Sequence, residues 1–359
     1  MKRVLFLIPT LTGGGAERVI VTLLRHLDRA KFSLALAVVD TRQAVFRDDV
    51  PADVEFIDLG CSRVRHALPR IVGLIWRRRP DVVFSTLGHL NLALAILRRL
   101  LPWGPRFLAR ETIVVSRNLA ALKRPWLWSW AYRRYYANHD KLICQSRDMR
   151  DDLVNHFGFP LEKTVLIHNP IDIRRVRELA SAPLADAGER PPGSIALIAA
   201  GRLERQKGFD LLIQAMALCG KQVLHLTLLG EGPLRPKLEA LALSLGIREQ
   251  VRFLGFKANP YPYFAQADAL VLSSRYEGFP NVVLEALACG TPVIALPAPG
   301  GVREILDGCP GCHLAAEVTA AALAEVLAAF VPGRRLAADA AAPYALEPIL
   351  AEYERELLA

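Results

Sequence analysis

Short apolar runs, cut off by glycine or proline and separated by stretches with helical spacing, recur along most of the chain. Such a run reads as a strand buried on both faces. Residues 3–8 predict a first strand, and 16–27 an amphipathic helix behind it. Residues 32–39, 54–59, 81–86, 107–109 and 141–144 predict further strands, and 165–170 a strand ending in a turn. Strands alternating with helices imply a parallel α/β sheet. Residues 182–194, rich in Ala, Pro and Gly, read as a connection, after which the pattern restarts at 195–200. Helices at 210–218, 234–245 and 282–289 continue it, with strands at 223–229, 251–254, 269–272 and 292–296. The Ala-rich stretch 319–342 predicts helix. Residues 346–358 predict an amphipathic helix entered through Pro343 and Pro348.

The expected fold is therefore α/β, with two Rossmann-like, doubly wound domains in tandem. A length of 359 residues exceeds what one core usually supports, and 52% hydrophobic residues suffice for two. The domains are expected at 1–170 and 171–342. No apolar stretch approaches the roughly 18–20 residues that span a bilayer. The start resembles a short signal peptide, but Pro9 and Gly13-Gly14-Gly15 interrupt it, so a buried first strand is the better reading. Six cysteines show no secreted disulfide framework, which fits a reducing cytoplasm. Cys309-Pro310-Gly311-Cys312 lacks the second ligand pair that zinc usually needs. We read it as a turn carrying two cysteines and expect no metal and no cofactor.

Charge divides the chain. Residues 1–170 hold 27 Lys+Arg against 15 Asp+Glu, a net of +12, whereas 171–359 hold 18 against 21, a net of −3. A basic half beside a mildly acidic one implies that the first half meets something anionic.

Four features carry candidate chemistry. The loop from Thr10 to Glu17, with Gly14 and Gly15, lies between the first strand and first helix. Its glycines would let backbone approach an anion at a helix N-terminus, although a ligand-free turn would look similar. Gly201-Arg202-Leu203-Glu204-Arg205-Gln206-Lys207-Gly208 follows the first strand of the second half, where Arg202 and Lys207 suit phosphate oxygens. In Glu277-Gly278-Phe279-Pro280-Asn281-Val282-Val283-Leu284-Glu285, Glu277 belongs to a loop and Glu285 to the helix starting near Val282. That helix start could hold sugar hydroxyls or phosphate. Leu229-Gly230-Glu231-Gly232-Pro233 and Phe253-Leu254-Gly255-Phe256 are strand ends with glycine turns, suited to contacts with a base but generic individually.

With these motifs in place, the chain resembles the family 4 retaining glycosyltransferases of the GT-B fold over essentially its whole length. GGGAER, VLIHNPID, GRLERQKG and above all EGFPNVVLEALACGTPVIA carry the resemblance. It implies a site between the domains with the nucleotide mainly on the second. It also implies diphosphate neutralisation by Arg202 and Lys207, ribose on Glu285, and the transferred sugar on Glu277 and the amides from Phe279 to Val282. Residues 343–359 would return to the first domain. Many relatives carry a sugar-contacting histidine where this chain reads Phe107-Leu108-Ala109-Arg110-Glu111-Thr112. His89 is a candidate substitute, while His168 reads as structural.

The implied reaction takes a nucleotide-sugar donor, with uridine diphosphate as the expected carrier, and a lipid-linked or glycan acceptor. Attack comes from the front face, without a metal. The basic and aromatic runs 77–79, 97–103 and 123–136 would then meet an anionic membrane surface, in contrast to an ordinary amphipathic helix with core aromatics. Two other readings stay open: a nucleotide-sugar epimerase or phosphorylase on the same fold, and a basic nucleic-acid-binding module. The latter lacks any recognisable motif, so no nucleic-acid partner is expected.

Overall fold

In a computed structural model of the protein, residues 1–101, 104–184, 193–220, 224–333 and 335–359 are described. Trp103 of the basic-aromatic run, most of the 182–194 connection and Val223 lie outside the described residues.

The chain divides into two units: Met1–Pro170 with Glu347–Ala359, and Ile171–Leu346. Among the described residues the first is built on seven parallel strands: β1 (Lys2–Ile8), β2 (Phe32–Val38), β3 (Glu55–Asp58), β4 (Val82–Thr86), β5 (Arg106–Arg110), β6 (Lys141–Cys144) and β7 (Thr164–Leu166). Their order is β3-β2-β1-β4-β5-β6-β7, so the winding reverses between β1 and β4. The central strands β1 and β4 are buried almost throughout, because helices cover both faces. Val4, Phe6, Ile8 and Phe84 pack one face, and Leu5, Leu7 and Val83 the other.

The helix Leu346–Leu358 belongs to this first unit almost entirely. Ile349, Tyr353 and Leu357 bury in its core, and Lys31 Nζ meets Glu354 Oε2 at 2.6 Å. Residues 343–346 stay with the second unit, because Ile171 N donates to Tyr344 O at 2.8 Å and Tyr344 packs edge-on against Phe279.

Among the described residues the second unit has six parallel strands: β8 (Ile195–Ala200), β9 (Leu224–Leu229), β10 (Val251–Gly255), β11 (Ala269–Leu272), β12 (Val293–Ala295) and β13 (His313–Leu314). The order β10-β9-β8-β11-β12-β13 repeats the reversal, here between β8 and β11. The Ala-rich stretch forms a shorter helix than its composition predicts, Ala320–Ala329, after which the chain is irregular up to Gly333. Phe330 turns into the core, and Pro332 and Gly333 do not continue a helix.

Candidate functional site

Doubly wound sheets bind ligands beyond the carboxyl ends of their strands, where the winding reverses. In the second unit that place is the pair of loops after β8 and β11. Gly208 has φ +62°, and a Cβ there would lie 2.0 Å from the Ser273 carbonyl oxygen, so only glycine lets the loops close this far. Ser273 Oγ donates to Lys207 O at 2.9 Å, Arg275 N to Gln206 O at 2.8 Å, and Gln206 Nε2 to Tyr276 O at 3.1 Å. Arg275 forks onto Asp210 at 2.8 and 2.7 Å, and its guanidinium holds that carboxyl below the usual carboxylate range.

This stitching brings two of the expected residues together. Lys207 Nζ lies 2.6 Å from Glu277 Oε1, and Ser274 Oγ donates to the same oxygen at 2.5 Å. Glu277 is buried, so these contacts take the place of water around its carboxyl oxygen. Behind it, Glu277 N donates to Pro299 O at 2.9 Å and Gly301 N to Gly278 O at 2.6 Å. The buried Phe279 packs against the backbone of Gly301, where a Cβ would come within 2.2 Å of the ring.

Pro280 precedes the helix Asn281–Ala288, whose start has no side-chain cap. Asn281 and Val282 are half-buried at that start, and Glu285 is buried on the helix. Gly201, at the end of β8, donates its N–H to Leu229 O at 2.9 Å and lies under the Lys207 methylenes. Arg202 stands apart. Its side chain is 72% exposed and its nearest acid is Glu204 at 3.5 Å, so it is not drawn into the Lys207–Glu277 pair.

The remaining expected residues belong to the first unit. Gly14 and Gly15 end the loop after β1, but Gly14 N donates to Glu17 Oε2 at 2.6 Å, and Thr10 Oγ1 to Glu17 Oε1 at 2.5 Å. The loop is thus shaped by its own buried glutamate, and the Gly14 amide is engaged by protein rather than turned to a ligand. Gly15 opens the helix Gly15–His26. The signal for Glu17 was available: it occupies the third helical position, where a glutamate reaches back to the cap. His89 is exposed near the start of the helix Gly88–Leu97, which follows Leu87 at φ +75°, a backbone state uncommon for leucine.

A buried polar cluster at the ends of β4 and β5 went unread in the sequence. Asn91 Nδ2 donates to Arg110 O at 3.0 Å and Glu111 Oε1 at 3.3 Å, and Tyr136 Oη donates to Glu111 Oε1. Burial raises the Glu111 carboxyl to about 8, and Glu111 Oε2 has no hydrogen-bond partner among the described residues. Arg110 is fully buried among Tyr353, Thr86 and Asn169. Its signal was a charged pair closing an apolar strand. Elsewhere, Cys309 and Cys312 bring their sulfurs to 3.4 Å in a turn, and burial pushes the Cys312 thiol up to about 12.

Two family models match the chain: "Glycosyltransferase Family 4" over residues 13–175 and "Glycosyl transferases group 1" over 184–342. An N-acetylgalactosamine-N,N'-diacetylbacillosaminyl-diphospho-undecaprenol 4-alpha-N-acetylgalactosaminyltransferase of Campylobacter jejuni is 29% identical over 323 residues. That match covers 85% of this chain and 83% of the relative. The lipopolysaccharide core biosynthesis glycosyltransferase LpsE of Rhizobium meliloti is 29% identical, covering 82% and 79%. Among solved structures, Anabaena HepE in complex with UDP and glucose superposes with a TM-score of 0.77 at 19% identity, covering all of both chains. WaaG, a glycosyltransferase involved in lipopolysaccharide biosynthesis, gives 0.69 at 19% identity, covering 99% and 94%. Tandem parallel sheets of this winding and the motif-bearing loops agree with these matches: the chain is a glycosyltransferase of the GT-B fold and belongs to the family 4 group.

Proposed function

We propose that the protein moves a sugar from a UDP-sugar to a lipid-linked or glycan acceptor in lipopolysaccharide or related glycan assembly, retaining the anomeric configuration. The observation that carries this reading is the Lys207–Glu277 ion pair at the carboxyl ends of adjacent strands. It sets a cation for phosphate beside a carboxylate for sugar hydroxyls. Arg202, with an exposed guanidinium on the same loop, supplies the second cation. The acceptor oxygen bonds to the anomeric carbon on the face from which the phosphate oxygen departs, and the leaving phosphate takes the acceptor proton. Arg202, Lys207 and the start of the helix Asn281–Ala288 stabilise the charge that develops on the diphosphate, which requires no metal ion.

The donor assignment is supported by the UDP and glucose bound in the HepE structure, and the acceptor class by the undecaprenol-linked substrate in the Campylobacter relative's name. Among the described residues no helix is long and apolar enough to cross a membrane. The proposed placement is peripheral, at the cytoplasmic face.

A thermal-shift panel of UDP, UDP-sugars and other nucleotide sugars tests the donor. A ligand that binds only the folded chain stabilises it by about 2.7 kcal/mol at a hundred times its Kd. The expected result is a raised Tm with UDP and with one UDP-sugar, and transfer of that sugar with chelator present. No shift with any nucleotide sugar would overturn the donor assignment. Loss of activity in chelator, restored by added metal, would overturn the metal-free mechanism.

A further inference from the structure

Cys309 and Cys312 stand at the two ends of a turn that holds them side by side. Pro310 fixes φ at its second position, Gly311 takes φ +91° at its third, and Cys312 N donates to Cys309 O at 3.1 Å. These are the features of a type II β-turn, which brings its end Cα atoms within about 7 Å, the range that a disulfide spans. The two sulfurs already lie 3.4 Å apart. Cys61 Sγ instead reaches Leu59 O, Cys219 Sγ reaches Ala215 O, and Cys144 is fully buried. Pro310 and His313 are exposed and the paired cysteines half-buried, so a small oxidant has access to them. Among the described residues no group of three or more His, Cys, Asp or Glu could hold a metal ion. The pair therefore lacks the further ligands that a structural metal needs, and its chemistry is with itself.

The turn joins two segments that back the Glu277 loop. Before it, Cys309 N donates to Leu306 O at 3.0 Å, at the end of the helix Val302–Leu306. That helix starts after Gly301, which is held by Gly278 O. After the turn, β13 pairs with β12 through Ile294 and His313, and β12 leads to Pro299, which accepts from Glu277 N.

We propose that Cys309 and Cys312 form a reversible dithiol–disulfide site, closed by a small disulfide of the glutathione type, and that the closed form clips the helix Val302–Leu306 to β13. One cysteine, as thiolate, attacks glutathione disulfide, forming a mixed disulfide and releasing one glutathione thiolate. The other gives up its proton and attacks the protein sulfur of that bond, releasing the second glutathione. Two protein thiols are oxidised, and one glutathione disulfide is reduced to two glutathiones. Burial pushes the Cys312 thiol up to about 12, which slows it as a first nucleophile. It suits the second step, which is intramolecular and driven by proximity. The site stands apart from sugar transfer, since it needs neither donor nor acceptor.

The test equilibrates the intact chain in glutathione buffers of rising disulfide content, alkylates the remaining thiols after denaturation, and weighs the tryptic peptide 304–334. That peptide holds these two cysteines and no other. Both alkylation sites should vanish together, leaving a peptide two hydrogens lighter than the dithiol form, and dithiothreitol should restore both. The closed chain should melt about 4–8 °C above the reduced chain. Cys309→Ser and Cys312→Ser should each abolish the loss of two hydrogens and the rise in Tm. Both should keep the thermal shift with UDP, because neither touches Lys207 or Glu277. A missing UDP shift in the parent chain would count against the proposed reaction and leave this site to be judged by the peptide. Two glutathiones on the peptide, both thiols still alkylated in glutathione disulfide alone, or a bond from either cysteine to Cys289 would each overturn the site. So would protection of both thiols that a chelator reverses, since that marks a bound metal. A closed form that melts no higher than the dithiol would overturn the clip.

Discussion

Lys207 Nζ and Glu277 Oε1 lie 2.6 Å apart although 70 residues separate them in sequence. The pair exists because β8 and β11 are neighbours and Gly208 lets their loops close. Removing one partner from a buried ion pair is destabilising, because the other is left uncompensated. Lys207→Ala should lower turnover by roughly one to three orders of magnitude while the chain stays folded. It should also lower Tm, since Glu277 would retain only Ser274 of the two groups that reach its Oε1. Initial rates and thermal melts measure the two effects; near-normal turnover would remove Lys207 from the mechanism.

Arg202 offers the contrasting case. Its ion pair with Glu204 is exposed, and such pairs contribute about 0–1 kcal/mol. Arg202→Ala should therefore leave Tm almost unchanged and still slow turnover by roughly one to three orders of magnitude. A variant with the parent rate would show that the exposed guanidinium does not meet the diphosphate.

The two glutamates should separate donor binding from transfer. Glu285→Ala is expected to weaken binding of bare UDP, read by calorimetry, because Glu285 is assigned to the ribose. Glu277→Ala should bind UDP nearly as well and lose mainly sugar transfer. Equal losses of UDP affinity in the two variants would contradict this division.

Closing the loops depends on one backbone state. Gly208→Ala places a Cβ 2.0 Å from the Ser273 carbonyl at a φ of +62°. The left-handed state alone costs about 1–2 kcal/mol for a non-glycine residue, and the clash forces the loops apart. The variant should melt lower and lose both UDP affinity and turnover. Wild-type activity with an unchanged melt would show that the loops need not approach this closely.

Glu111 predicts a pH dependence of stability. Burial raises its carboxyl from 4.5 to about 8, so between those values the folded chain keeps a proton that the unfolded chain releases. Its contribution is full below about 4.5, falls as pH rises and levels off above about 8. His139, lowered to about 4 by burial, acts oppositely but only below its usual 6.5. Denaturant melts at pH 6.5 and 8.5 bracket the Glu111 step, and comparison with Glu111→Gln isolates it, because His89, His139 and the buried thiols contribute equally to both proteins. The parent chain should lose about 2 kcal/mol across that step. Glu111→Gln, which cannot ionise, should lose much less, and parallel curves for the two proteins would refute the assignment.

Local pattern determined much of this protein. Apolar runs of strand length give β1, β4, β8 and β11 because each is covered on both faces, and glycines mark the turns behind them. The motif residues were legible because they sit next to these strand ends. Two of them, Gly14 and Arg202, nevertheless behave in ways that their motifs do not reveal: one gives its amide to Glu17, and the other stands free of the Lys207–Glu277 pair. Only the tertiary structure decided which distant loops meet, since strand order depends on contacts that no local window contains. It also decided that Glu111 is sealed from water and that Trp126, Trp128 and Trp130 face outward. Helical spacing of aromatic residues is the same for a core-facing helix as for an exposed one. What separates the two is whether another element packs on them, and for these tryptophans the fold leaves the surface uncovered.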